Sequence, residues 1–426
     1  MKIIQLCGQL SLGGVTQFIS DFNYGLKKNG YDVTVYYFQN ENKMKDKSYY
    51  ENIIPGVKYY DYSEEALKDI NSADIVCVNV LMSNKTNNKY SDRFNKLLSE
   101  EINGPKKVLF MHNHMTIGYR NYYPADILTN KEFLSIFDKL VTFDTNTVVY
   151  NKIKETLGKE EALSKFVHLQ LPYAFDKNCK DKWLSIKDKS KRISYIGRWS
   201  GIKHPQVMID LCKLDYNPFE CEMRGITRSI GTAATPDLYY EINAQSGKSF
   251  KESIVGPSKY TEIITNKWYE ERGIDKSDLL LDYPRNNKMF IFGPYERSNG
   301  LKAMAKAAFC IDLFRLRKAH VYGDTLEYVM YETIEQGTIP LLDYFTGESV
   351  KMYENGVSTG KSMIDLNAGI FLKEDLSNIK EVIEQMEYLY NNAEEYEKFR
   401  LNCLEVLKKH SEPKPVTKQM ISEIMK

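Results

Sequence analysis

Paired cysteines are what this chain most plainly lacks. Its seven, Cys7, Cys77, Cys179, Cys212, Cys221, Cys310 and Cys403, are scattered without a CxxC pair, and most stand in apolar runs such as Ile75-Val76-Cys77-Val78. That pattern reads as reduced thiols inside a core rather than a disulfide framework, and implies a reducing compartment. No apolar run approaches the ~20 residues of a membrane span. The N-terminus passes straight into an alternating strand with no cleavable apolar stretch, so no signal peptide is expected. A cytoplasmic protein follows from both. Net charge is nearly absent too: 58 Lys and Arg against 57 Asp and Glu leave +1. That argues against a protein coating nucleic acid with its whole surface, while leaving room for a local basic face. There is no internal repeat and no low-complexity tract, and with 42% hydrophobic and 27% charged residues disorder is not indicated.

At 426 residues the chain is too long for one ordinary core, and two domains of about 200 residues each are expected. The first half alternates short apolar strands with amphipathic helices. Lys2 to Leu10 reads as a strand, and Val15, Phe18, Ile19, Phe22 and Leu26 then share one helical stripe, which Gly30 ends. Tyr31–Phe38, Ala73–Val80, Lys106–His112, Lys139–Phe143 and Phe166–Leu171 are further strands by the same pattern. The stretch Asp176 to Arg192 is highly charged and weakly apolar, which reads as a linker. Alternation then resumes with strands at Ile193–Ile196, Cys221–Met223, Met289–Phe292, Phe309–Phe314 and Ile339–Phe345, and helices at Leu301–Ala308 and Asp324–Gln336. The expected organisation is residues 1–175, a linker 176–192, a second domain 193–410, and a last helix 411–426 that crosses back to the first domain. Strand–helix alternation of this kind predicts an α/β protein of two parallel, doubly wound sheets.

Ligands of such sheets bind beyond the carboxyl ends of the strands, and several suggestive segments follow strands here. Gly13-Gly14-Val15-Thr16-Gln17 opens a helix after the first strand, where glycine allows close backbone approach and a helix start offers free N–H groups to an anion. A plain tight turn is the ordinary alternative; the segment is not a GxGxxG fingerprint. His112-Asn113-His114 holds two of only six histidines. A zinc pair needs a third ligand that is not apparent, so a polar cluster facing a cleft is preferred, able to bond a sugar hydroxyl or take a proton near neutral pH. Gly197-Arg198-Trp199-Ser200-Gly201-Ile202-Lys203 follows the first strand of the second half. Its two cations either neutralise a departing diphosphate or are ordinary loop charges. Asp324, Glu327 and Glu332 are expected on one helix facing one cleft, at about 60° and 80° around the axis and spread over about 12 Å. That spacing suits an extended ligand with sugar hydroxyls at one end and ribose hydroxyls at the other. Phe345-Thr346-Gly347-Glu348-Ser349 ends another strand in a glycine turn, suitable for phosphate oxygens or simply a turn.

Together these segments resemble the retaining glycosyltransferases of the GT-B fold, two Rossmann-like doubly wound domains facing across a cleft. That family has a Gly-rich first loop, an Arg/Lys pair after the first strand of the second domain, and an acid-seven-Glu helix followed by Gly-x-Pro. Asp324 stands here where the family usually has Glu, and the order Glu332, Gly337-Thr338-Ile339-Pro340 follows. The likeness extends to the T-even phage DNA α-glucosyltransferases through Gly14-Val15-Thr16, His112-x-His114, Ile196-Gly197-Arg198 with Lys203, Leu326-Glu327-Tyr328 and Thr346-Gly347-Glu348, in the same order. The resemblance implies an acceptor-side first domain and a nucleotide-sugar-binding second domain. Gly13, Gly14 and Val15 would lie against diphosphate and sugar, and Arg198 and Lys203 would hold the phosphates. Glu332 would bind ribose, Asp324 or Glu327 the donor sugar, and Thr346 and Gly347 would offer backbone N–H groups to phosphate. A UDP-sugar is the implied co-substrate, with no prosthetic group, no metal site and no divalent metal required. Asn113 stands where the phage enzymes have an aspartate, and an amide cannot act as a base. Acceptor chemistry would then fall to His114, His112 or a donor phosphate oxygen.

If the acceptor is a hydroxymethylated pyrimidine in duplex DNA, a cationic, aromatic-lined approach and a flipped base are needed. The basic stretch Lys177 to Arg192 offers one approach, and Tyr119, Arg120 and Tyr122 another; Arg224 and Arg228 could contact acceptor or donor phosphate. A phage-encoded enzyme of this kind would act in the host cytoplasm. Two other readings stand beside it: the same chemistry on a cell-wall polymer, polysaccharide or glycolipid, and a nucleotide-sugar sensor without turnover. The sugar, the acceptor and the oligomeric state are not specified by the sequence.

Overall fold

The computed structural model describes residues 1–7, 14–37, 51, 54–79, 89–112, 130–143, 148–197, 206–224, 279–283, 289–292, 297–313, 326–373 and 375–426. The first sheet has seven parallel strands: β1 (Lys2–Cys7), β2 (Asp32–Tyr37), β3 (Lys58–Tyr59), β4 (Ile75–Val78), β5 (Lys106–Met111), β6 (Lys139–Thr142) and β7 (Phe166–His168). Their order is β3-β2-β1-β4-β5-β6-β7. All four residues of β4 are buried, as expected of a parallel strand covered on both faces. Each face has its own apolar core. One gathers Ile4, Leu6, Val76, Val78, Leu109 and Leu140; the other gathers Ile3, Ile75, Val108 and Val141 against Phe18 and Phe22. Period-two alternation along each strand sends neighbours to opposite cores.

The helices of this half are α1 (Gly14–Lys28), α2 (Glu64–Asn71), α3 (Lys89–Lys96), α4 (Lys131–Ser135), α5 (Val148–Leu157) and α6 (Lys159–Lys165). The second half repeats the plan with β8 (Ser190–Ile196), β9 (Glu220–Arg224), β10 (Leu279–Tyr283), β11 (Met289–Phe292), β12 (Ala307–Asp312), β13 (Ile339–Asp343) and, beyond a hairpin of β14 (Lys351–Glu354) and β15 (Val357–Ser362), β16 (Ile370–Leu372). The second sheet runs β10-β11-β9-β8-β12-β13-β16, parallel except for the β10–β11 pair at its edge. Its helices are α7 (Gln206–Lys213), α8 (Arg297–Lys306), α9 (Tyr328–Glu335), α10 (Tyr344–Ser349), α11 (Ile379–Asn391), α12 (Ala393–Ser411) and α13 (Pro413–Met425). No helix is long and apolar enough to cross a membrane among the described residues, and all seven cysteines are buried and outside any disulfide.

Two sequence expectations need correction. The strand expected at Ile339–Phe345 stops at Asp343, because Asp343 caps α10: its carboxylate accepts the amide of Thr346 at 2.7 Å. The charged stretch 176–192 is not a solvated tether. Cys179 and Ile186 lie in the second core with Trp183 packed against it, and β8 already begins at Ser190. Lys189 is buried and donates to Ala305 O, Ala307 O and the Thr338 hydroxyl at 2.6, 3.1 and 2.8 Å. Burial pushes its ammonium down to about 7. Trp183 in turn fixes the turn after α9. A Cβ on Gly337, which has φ +68°, would come within 2.4 Å of its ring, so glycine serves there both for backbone hand and for space.

The last helix, α13, joins the first half. Met420, Ile421 and Ile424 enter the core built on Ile3 and Phe22, and the Asn29 amide donates to Lys414 O and the Thr417 hydroxyl at 2.8 and 2.9 Å. The close approach depends on Gly25, where an added Cβ would lie 2.5 Å from Pro413 O and 2.6 Å from Thr417 Cγ2. In an isolated helix Ala would be better than Gly by about 1 kcal/mol; here backbone blocks the methyl and the sign reverses. Gly25→Ala should therefore destabilise by about 1–3 kcal/mol. The checks are a lower thermal midpoint and faster proteolytic loss of the C-terminal helix.

Candidate functional site

In each sheet the strand order reverses beside its first strand, between β1 and β4 and between β8 and β12. Such switch points open a crevice beyond the carboxyl strand ends. At the first, α1 starts at Gly14; a Cβ added there would be 3.4 Å from Cδ2 of Tyr328, the first residue of α9 in the second half. The Tyr328 hydroxyl donates to Pro172 O at 3.1 Å, and the ring packs against the apolar cores of both halves. The start of the Gly14 helix and the start of the acidic helix thus meet at one aromatic side chain.

The acidic helix is shorter than its sequence suggests. α9 begins at Tyr328, with Glu327 at its N-cap in extended backbone and no cap bond from that side chain. The helical angles expected for Asp324, Glu327 and Glu332 therefore do not apply, since Leu326 and Glu327 precede the helix; Asp324 lies outside the described residues. The physical cause is at hand: Tyr328 is drawn to the seam and sets the helix start. Glu332 remains on the helix, about 7 Å along the axis from Glu327 at ~1.5 Å per residue. Its Oε1 accepts both Nε and Nη2 of Arg297, at 3.0 and 2.7 Å. Burial raises the Glu332 pKa, the charge and hydrogen bonds of Arg297 oppose that, and Glu335 adds to it.

Around this pair lies a polar cluster not read from the sequence. Glu335, one turn on, accepts from the Tyr173 hydroxyl at 2.7 Å and the Asp176 amide at 2.6 Å. Tyr173 stacks on Tyr331, centroids 5.0 Å apart. Across the seam, Asp21 on α1 is only 3% exposed and accepts from the Gln17 side chain at 2.9 Å. Burial pushes its carboxyl up to about 7, against hydrogen bonds from Gln17 and the Ala174 amide and the Arg297 charge, and with Glu335 adding to the rise. A signal was available: Gly14, Phe18, Asp21 and Gly25 form a second α1 stripe at steps of three and four. An acid on a stripe that includes glycines marks a face meeting another element.

At the carboxyl ends of the first sheet, His112 is half-buried. Its ring lies 4.7 Å from Phe18 and 5.4 Å from Phe143, and its Nε2 is 3.1 Å from Asn79 Oδ1. Asn79 is buried and donates to Gln5 Oε1 at 3.4 Å. With the hydrogen on Nε2, as the bond to an amide oxygen requires, Nδ1 is the basic nitrogen of this imidazole. Asn79 and Gln5 come from different strands, so only pairing of β1, β4 and β5 brings them to His112.

The second half changes three expectations. The Thr346 amide, expected to meet phosphate, is taken by Asp343, whose other oxygen accepts the Thr346 hydroxyl at 2.7 Å. Gly347 is required by packing: a Cβ there would sit 2.3 Å from the Phe371 ring. Arg224 ends β9 beside Gly197, whose amide donates to Arg224 O at 2.9 Å, but its guanidinium pairs with the buried Glu222, which Arg192 also binds at 2.7 Å. Of the basic stretch 177–192, Lys180, Lys182, Lys191 and Arg192 face carboxylates of Glu405, Asp176, Glu387 and Glu220, and Lys189 is internal. The expected cationic approach there is largely neutralised within the protein.

Gly13, Asn113, His114, Tyr119, Arg120, Tyr122, Arg198, Lys203 and Arg228 lie outside the described residues. Gly14 and Val15 lie at the α1 start, Gly14 exposed and Val15 half-buried. Among the described residues no group of three or more His, Cys, Asp or Glu comes together around a metal position.

No family model matches the chain. A DNA alpha-glucosyltransferase of Enterobacteria phage T4 is 23% identical over 423 residues, 97% of this chain and 96% of that protein. Among solved structures, an alpha-glucosyltransferase in complex with UDP-glucose and DNA containing an abasic site superposes with a TM-score of 0.72 at 20% identity, covering 100% of this chain and 99% of that one. The same kind of enzyme with UDP and a 13-mer DNA containing a HMU base gives 0.71 at 20% identity, covering both chains completely. The chain resembles the phage enzyme along its length, and its fold is the two-lobed GT-B fold.

The buried Asp21 gives this seam a pH signature. A carboxyl raised from 3.8 to about 7 on folding keeps its proton in the native state where the unfolded chain has lost it. The associated stability is complete below about pH 4 and is lost as pH rises toward 7. Asp21→Asn should stabilise the protein at pH 8, by on the order of a few kcal/mol at most, and so raise its thermal midpoint there, with the advantage vanishing near pH 4. Melting curves across that range check it; a constant offset at every pH would contradict the assignment.

Proposed function

We propose that this protein is a retaining UDP-sugar glycosyltransferase that moves glucose from UDP-glucose to the hydroxymethyl group of a modified pyrimidine in duplex DNA. The observation carrying this reading is the seam itself. A glycine helix start and a Glu332-bearing helix meet at Tyr328, beside the switch points of two facing sheets. The likeness to a phage DNA glucosyltransferase along the whole chain supports the donor and the acceptor class.

In this reaction the acceptor oxygen attacks C1 of glucose from the side on which the leaving group departs. The new C1–O bond forms as the bond to the β-phosphate oxygen breaks, and the acceptor proton passes to the departing diphosphate. Retention follows from the shared face. Arg198 and Lys203 neutralise charge growing on the diphosphate, with Gly13, Gly14 and Val15 against it. Glu332 accepts from the ribose hydroxyls through its unpaired oxygen, and Asp324 or Glu327 from the glucose. His112, oriented by Asn79, and His114 hold the acceptor hydroxyl; Asn113 can bond to it but not deprotonate it. The base leaves the stack to reach the cleft, with Tyr119, Arg120 and Tyr122 available to stack on and neutralise the strand. Acting on phage DNA, the enzyme works in the host cytoplasm.

The test is incubation with UDP-glucose and duplex DNA carrying hydroxymethylcytosine or hydroxymethyluracil, followed by mass spectrometry of the nucleosides. A glucosylated nucleoside is expected. Unmodified DNA alongside glucose transfer to a glycan or lipid would overturn the acceptor. Arg198→Ala should lower turnover by about 10²–10³ at unchanged melting temperature, since a charge-stabilising group is lost. Glu332→Gln should weaken UDP itself about tenfold or more, measured by calorimetry, because a charged hydrogen-bond acceptor disappears.

A further inference from the structure

Arg297 is the first residue of α8, and its guanidinium reaches across to α9 to bind Glu332. Both of the bonds it makes to Glu332 go to the same oxygen, Oε1. Among the described residues Oε2 accepts no hydrogen bond, while the Glu332 side chain as a whole is 17% exposed. A carboxylate tied at one oxygen and open at the other is held in one rotamer with one acceptor presented. The guanidinium is 40% exposed, so it is neither a core packing group nor a freely solvated charge.

The surroundings oppose a charge on Glu332. On its own helix stand Glu335 and Tyr328; Tyr173 approaches from the segment before β8, Asp21 from α1, and Cys310 from β12. Burial and Glu335 favour the neutral acid, and Arg297 is the cation that acts against them. The same guanidinium field also reaches Asp21. Arg297 thus opposes the burial that would neutralise Glu332.

We propose that Arg297 is a positioning residue for the nucleotide: it holds the Glu332 carboxylate charged and turned so that Oε2 receives a ribose hydroxyl. This rests on the reading of the cleft as a UDP-sugar site. A neutral acid would present one acceptor fewer and a donor hydrogen toward another donor. Removing the guanidinium therefore weakens the nucleotide most where protons are abundant.

The experiment is UDP binding by calorimetry at pH 6 and pH 8 for the wild type, Arg297→Gln, Arg297→Lys, Glu332→Gln and the Arg297→Gln/Glu332→Gln pair, each checked for fold by circular dichroism. Wild-type affinity should vary little between the two pH values. Arg297→Gln should bind UDP more weakly than wild type at both pH values, with the larger loss at pH 6, because without the guanidinium burial and Glu335 raise the Glu332 carboxyl unopposed. Lysine should restore the flat profile, and in the Glu332→Gln background the arginine substitution should cost almost nothing. With UDP-glucose as substrate the loss should fall on KM rather than kcat. Wild-type UDP binding together with an Arg297→Gln profile parallel to wild type would overturn the proposal alone. Equal losses with and without Glu332 would do the same, since they denote a general effect on the fold. Failure of the wild type to bind UDP at either pH would overturn the nucleotide reading and this inference with it.

Discussion

Both halves of the protein close on the Tyr328 side chain. Its ring belongs to two apolar cores at once, its hydroxyl is anchored to Pro172 O, and the glycine that opens α1 lies against its edge. Most of the site's arrangement follows from this contact. It sets where α9 begins, so that Glu327 precedes the helix and Glu332 rides on it. It also brings α1, with its buried Asp21, against the segment that carries Tyr173 and Ala174. A methyl at position 14 would just reach van der Waals contact with the ring.

The seam is held by polar as well as apolar groups, which is unusual enough to carry meaning. Buried ionisable side chains are costly unless bonded. Here Asp21, Glu335 and Glu332 are each given partners: an amide and a glutamine, a tyrosine and an amide, and an arginine. The charge of Arg297 acts on both Asp21 and Glu332. A ligand bringing hydroxyls and negative charge into such a place changes the balance for both of them. On the far side of the molecule, α13 docks through Gly25 and Asn29 and commits the C-terminus to the first half. The two lobes are therefore joined at the seam and again by the returning helix.

Legibility of the site followed the chemistry of each signal. His112 and Glu332 stand out as candidates because rare or charged residues next to a strand end or on a helix are conspicuous in one dimension. Asn79, Gln5, Tyr173 and Arg297 do not, because residues of ordinary types join a cluster only when separate strands and helices place them together; Arg297 and Glu332 are 35 positions apart. The packing at Gly347 was hidden for a related reason. A glycine after a strand looks the same along the chain whether its bare face meets a ligand or, as at Gly347 in α10, the ring of Phe371. The linker's charges looked like a surface until their partners, Glu220, Glu387 and Glu405, arrived from remote parts of the chain.

The α/β class, the strand positions and the two-sheet plan were determined by the sequence alone, since hydrophobic periodicity is local and survives without knowledge of neighbours. β1, β4, β5 and β12 announce themselves as apolar runs, and the stripe of α1 as helical spacing. Strand order, the start of α9, the pairing of cations with acids and the rise in the Asp21 pKa were decided only by the tertiary structure. Those depend on burial and on distances across the fold, and desolvation and Coulomb terms have no counterpart in the spacing of residues along a chain.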